Sequence, residues 1–197
     1  KENGAFNVVS TCSFGGTIDK IKIEEKWKLK EKDLTEEEKQ DIDFIKKDWL
    51  LIDGARNIIP DSFDFIIETI GIYSNFEIMK MACDIMIEKI TNFIKNLQEK
   101  PMIKSSNDTL ENSYDITLDN EDYTLGKVIE YLLYTLYFGT EITFCGFRKP
   151  HPHINSSLLK IAFPSEVDND IIISKIVKAS LEGIKIYEQI KDNFVEK

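Results

Sequence analysis

Apolar residues recur at threes and fours in four stretches of the chain, and each such stretch predicts a helix. Residues 74–97 carry Ile78, Ala82, Ile85, Met86, Phe93 and Leu97 behind Ser74 and Glu77, a capping-box pair. Residues 168–194 line one broad side with Ile172, Ile173, Ile176, Ala179, Ile184, Tyr187, Ile190 and Phe194. Between them, residues 128–138 place Val128, Ile129, Leu132, Leu133 and Leu136 together, with Thr124 positioned as N-cap. Residues 35–50 offer only a narrow stripe, Ile42, Ile45 and Trp49, behind the capping box Thr35 and Glu38. That stripe suits a solvated helix packed on one side, or a helix that docks on a partner.

Elsewhere the pattern alternates, as a half-buried strand requires. In 141–148, Ile142, Phe144 and Gly146 share one face and Thr143, Cys145 and Phe147 the other. Pro150 and Pro152 end that strand, because neither can donate to a ladder, and 157–163 returns as its hairpin partner. Residues 114–118 read as a strand, as do 62–70 with Phe63, Phe65, Ile67 and Thr69 on one face; 57–60 is a break between elements. Near the start, 4–14 reads as a strand closed by a turn at Gly15 and Gly16, and 18–29 as a second, exposed strand built on Ile18, Ile21, Ile23, Trp27 and Leu29. Residues 99–113, with Pro101, Ser105, Ser106, Asn107, Asp108 and Asn112, form the clearest linker. The fold class is therefore α+β. It contains an echo: strand 62–70 then helix 74–97 repeats as strand 157–163 then helix 168–194.

Composition narrows the classes. The chain has 197 residues, 42% hydrophobic and 30% charged, the balance of a globular protein with a sizeable core. No run approaches the roughly 18 to 20 apolar residues of a membrane helix. A net charge of −10 argues against a phosphate-binding surface, so any role near DNA is indirect. Cys12, Cys83 and Cys145 are odd in number and far apart, which suits reduced, mostly buried thiols in an intracellular protein. His151 and His153 are the only histidines. Two such residues could ligate a metal, but only Cys145 lies near to help, and a rigid turn shaping a packing surface explains them better. Carboxylate pairs such as Asp168 and Asp170 sit at helix starts, where the macrodipole accounts for them. No phosphate loop or nucleophile elbow is present, so catalytic, cofactor-binding and metal residues are all expected to be none.

Two short pieces in order carry a resemblance: Glu121-Asp122-Tyr123-Thr124-Leu125-Gly126 opening the apolar helix, then Gly146-Phe147 and Pro150-His151-Pro152 in the hairpin. Together they resemble the smaller alpha-like subunit of multisubunit DNA-directed RNA polymerases, the eleventh-numbered subunit of polymerase II. Lys127 stands where that family commonly has Asn. Upstream, Ser62-Phe63-Asp64-Phe65-Ile66-Ile67-Glu68-Thr69-Ile70-Gly71 resembles the end of the dimerisation domain of the larger alpha-like subunit, the third-numbered one. Lys1-Glu2 with Val9-Ser10-Thr11-Cys12-Ser13-Phe14 partly matches an earlier segment of it, with Asn3, Ala5 and Val8 departing from the pattern. A single chain carrying both parts resembles the fused subunit of large nucleocytoplasmic DNA viruses.

The resemblance implies two related strand-plus-long-helix halves packed as an intramolecular pseudo-dimer, the first half incomplete and its missing elements upstream of Lys1. It divides the chain into 1–57, the tail of the larger subunit's insertion region with a linking helix; 58–98, the end of its dimerisation domain; 99–113, a linker; and 114–197, the smaller subunit. The half-to-half interface is expected on Leu125, Val128, Ile129, Leu132, Leu136, Ile173, Ile176, Ile184, Tyr187, Ile85 and Phe93. The implied role is a non-catalytic assembly platform for the second-largest and largest polymerase subunits, with small zinc-binding subunits alongside, DNA met only through the complex, and no membrane contact. The implied location is host cytoplasm, viral factory or virion if the chain is viral, and the nucleus if cellular. Two alternatives stay open: a generic α+β dimerisation module of another complex, and a histidine-dependent enzyme.

Overall fold

The computed structural model describes residues 6–106 and 110–194. The partial match at 1–5 and the linker residues Asn107 and Asp108 lie outside them. The chain is α+β and divides into two compact units, 1–75 and 76–197. The division falls at the start of the first long helix rather than in the polar 99–113 stretch.

In the first unit, β1 (Val9–Ile18) pairs antiparallel with β2 (Ile58–Thr69) in a two-stranded ribbon. Gly15 and Gly16 do not turn the chain; they lie inside β1 opposite Asp64 and Phe63. At Gly16 a side chain would strike Ile58 at 2.7 Å, so a residue without Cβ is what that strand position accepts. The expected break at 57–60 is also absorbed: Pro60 and Asp61 (φ 62°) sit in β2 where its register against β1 shifts.

The expected strand at 18–29 is instead a helix, α1 (Lys20–Lys32). Asp19 caps it, its carboxylate accepting from the Lys22 N–H at 2.9 Å. Ile23 and Trp27, one turn apart, are its buried residues. The Thr35–Glu38 capping box forms, with Thr35 N donating to Glu38 Oε2 at 2.9 Å and Glu38 N to Thr35 Oγ1 at 3.3 Å. Those backbone and hydroxyl donors hold the Glu38 carboxyl below its ordinary range. The box starts a 3₁₀ turn (Glu38–Asp41), and the α-helix proper, α2, runs Ile42–Ile52. Trp49 from α2 meets Trp27 with ring centroids 5.5 Å apart, and Ile42 and Ile45 pack on the same small cluster.

The second unit opens with α3 (Asn75–Glu99), followed by β3 (Ile103–Ser105) inside the expected linker. Then come β4 (Ser113–Asp119), α4 (Tyr123–Tyr137), β5 (Phe144–Arg148), β6 (Ser156–Ala162) and α5 (Asn169–Asn193). The four strands form one antiparallel sheet in the order β3-β4-β6-β5. Register places Tyr114, Ile116, Leu159, Ile161, Cys145 and Phe147 on the face that joins the core with α3, α4 and α5. In β5 the buried face is thus that of Cys145 and Phe147; Phe144 faces the other way and is largely exposed, while Ile142 is buried ahead of the strand. No helix among the described residues is long and apolar enough to cross a membrane.

Candidate functional site

The two sequence pieces singled out above meet face to face. Asp122, not Thr124, is the N-cap of α4: Asp122 has extended backbone and its carboxylate accepts from the Thr124 N–H at 3.0 Å. One turn later Gly126 lies against the Phe147 ring so closely that a Cβ there would sit 2.0 Å from it. Tyr123 meets the same ring edge-on at 5.5 Å. The glycine of the first piece is therefore the seat for the aromatic of the second, and α4 lies along β5. Cys145, two residues before Phe147, donates its thiol to the Glu130 carbonyl at 3.8 Å. Burial, with the Glu130 carboxylate adding to it and Lys127 opposing, pushes that thiol up to about 12. Just ahead of the cap, Glu121 accepts from Ser157 through its carbonyl at 3.0 Å and pairs with Lys89 of α3 at 2.7 Å.

α5 crosses behind. Tyr114 of β4 holds its entry, its hydroxyl donating to the Val167 carbonyl at 2.9 Å and accepting from the Val167 N–H at 3.1 Å. At Gly183 three helices converge: a Cβ would meet Leu132 of α4 at 2.9 Å and Ile90 of α3 at 3.5 Å. The contacts between α3 and α5 run in opposite directions along the two chains. Phe76 meets Phe194 with centroids 6.4 Å apart, Asp84 accepts from Lys191 at 2.5 Å, and Ile90 faces Gly183. Both helices are 25 residues long and they lie antiparallel. Asp84 holds the Lys191 ammonium above its ordinary range, while burial raises Cys83 and Tyr187.

Of the residues expected at the interface, Leu125, Ile129, Leu132, Ile176 and Phe93 are buried in this shared core. Val128, Ile173, Ile184 and Tyr187 are half-buried against it. Leu136 and Ile85 are not brought in; they stay 42% and 55% exposed. The buried stripe of α3 is Cys83, Ile90, Phe93 and Leu97, so sequence reasoning missed Ile90, although its spacing of three from Phe93 and seven from Leu97 could have shown it. Gly183 gave no signal on its own.

His151 and His153 lie exposed in the β5–β6 turn, where the His153 N–H donates to His151 Nδ1 at 3.2 Å. No group of three or more metal-ligating side chains occurs among the described residues. Of the three free thiols Cys83 is buried and Cys145 half-buried, but Cys12 is exposed on the ribbon, against the expectation of burial. Compared with models of known protein families the chain matches none, and no curated protein matches it either.

Proposed function

We propose that the chain is a non-catalytic assembly subunit of a multisubunit DNA-directed RNA polymerase, combining the end of a larger alpha-like subunit with a smaller one. On this reading α3 closes the first half, residues 114–197 form the second, and their packing is the pseudo-dimer. The observation that carries it is the antiparallel pairing of α3 and α5, two helices of equal length, each preceded in sequence by a strand. Further support comes from the Thr-Leu-Gly helix, which shares its core with both. By the same resemblance, the partners are the two largest subunits and small zinc-binding subunits, and DNA is met only through them.

The test is co-expression of the full chain with the two largest subunits of a candidate polymerase. A stable stoichiometric complex is expected. Leu136→Asp and Ile85→Asp, both on exposed positions, should leave the chain folded and weaken that complex. A folded wild-type chain that never copurifies with those subunits overturns the proposal, and recovery with unrelated proteins instead favours a dimerisation module of another complex.

A further inference from the structure

We propose that the open edge of β5 is a docking site for an extended segment of a partner protein, headed by acidic residues, which adds to the sheet as a further strand.

β5 ends the sheet order, and among the described residues it pairs only with β6, so one side of its backbone has donors and acceptors without a ladder partner. β3, at the opposite edge, is only three residues long. What distinguishes the β5 edge is the helix above it. Gly126 on Phe147 and the Glu130 carbonyl on Cys145 place α4 directly over β5. A strand added about 4.8 Å further out would run beneath the outward flank of α4. That flank should be charged on a helix facing only water. Beside the Lys127–Glu130 ion pair it carries Tyr123, Tyr134 and Phe138, all about half exposed, and Tyr134 and Phe138 stack with centroids 4.4 Å apart. An added strand would bury its inward side chains against these rings and extend the existing core without a break. Aromatic side chains of this kind are enriched at protein interfaces.

Charge sets which segment fits. At the far end of β5, residues 146–154 contain Arg148 and Lys149 and no acidic residue, in a chain of net charge −10. Neither cation forms an ion pair among the described residues, whereas Glu141, at the other end, is held by Lys175. Every strand pair of the sheet is antiparallel. The occupant therefore places its carboxylates at its N-terminal end, beside Arg148 and Lys149, and alternates apolar with small polar residues after them.

A labelled peptide pool with two glutamates followed by six residues alternating Val, Ile or Phe with Thr, titrated into the full chain, tests this. Saturable binding is expected, with slowed amide exchange confined to β5. The double variant Arg148→Glu/Lys149→Glu, at surface positions, should weaken binding at least about tenfold and transfer preference to a pool headed by two lysines. Tyr134→Ala should weaken binding without changing that preference. No binding at millimolar peptide overturns the proposal, as does binding that leaves β5 exchange unchanged. A peptide-free dimer in sedimentation with β5 protected would assign the edge to a second copy instead, and would equally overturn it.

Discussion

The two units of the chain spend similar kinds of sequence on very different interiors. The second gathers nineteen buried apolar residues into one continuous core between a four-stranded sheet and three helices. The first closes over three, Ile23, Trp27 and Trp49, and its ribbon leaves Phe14, Phe63 and Phe65 clustered in water, with Phe14 70% exposed. Cross-strand pairing puts these rings on one face, so the ribbon is patterned for a layer that the first unit does not itself supply. Apolar periodicity reports what a segment is able to bury. Whether it does so depends on a second layer being present.

Both tryptophans, Trp27 and Trp49, belong to the first unit, while six of the seven tyrosines belong to the second, so the two can be followed separately. The largest effect is expected of Leu132→Asp or Ile176→Asp. Each leaves a carboxylate in the larger core, costing more than about 5 kcal/mol. Tyrosine near-ultraviolet dichroism should be lost and the chain become insoluble or unable to assemble; a soluble, assembled Leu132→Asp/Ile176→Asp double variant refutes the packing described. Next comes Trp49→Ala, which removes a third of the small core and costs about 3 to 5 kcal/mol. The emission of Trp27 should shift to that of an exposed indole while the denaturation midpoint of the second unit holds.

Gly126→Ala has a narrower effect, about 2 to 3 kcal/mol from overpacking against Phe147. Adding Phe147→Leu should recover part of it, and strict additivity in urea denaturation would show the two do not touch. The mildest probe is alkali. Cys145, Cys83, Tyr137 and Tyr187 are all raised by burial, so the folded second unit keeps protons that the unfolded chain releases. Their stabilisation is complete below the ordinary thiol value of 9.0 and is lost as pH rises toward about 12. Urea midpoints should fall over that range, less steeply in Cys145→Ala, and a flat profile contradicts the burial of these groups.

How far the sequence could be read follows the same division. α3, α4, α5, β4 and the β5–β6 hairpin were legible because each has a wide apolar face and a core to put it in. α1 was not: lysines at Lys20, Lys22, Lys26, Lys28 and Lys30 interleave with Ile21, Ile23, Trp27 and Leu29 and mimic a strand. Only the i to i+4 pair Ile23 and Trp27 is buried, because α2 presents Trp49 there. Gly15-Gly16 looked like a turn for want of side chains, yet a ribbon opposite Asp64 and Phe63 accommodates them as well. At the candidate site the two motifs were readable one by one. Their contact was not, since nothing local says that Gly126 and Phe147 share space, and Asp122 and Thr124 are equally good caps until the backbone chooses between them.

The pairing of α3 with α5 also sets a clock. Asp84 and Lys191 lie 107 residues apart in the chain. At a synthesis rate of about 5 to 20 residues per second, α3 leaves the ribosome roughly 5 to 20 seconds before the helix that covers it exists. During that interval Ile90, which packs against Gly183, and Cys83, beside Lys191, lack the cover of α5, and a chaperone that engages residues 75–99 co-translationally would find its substrate there.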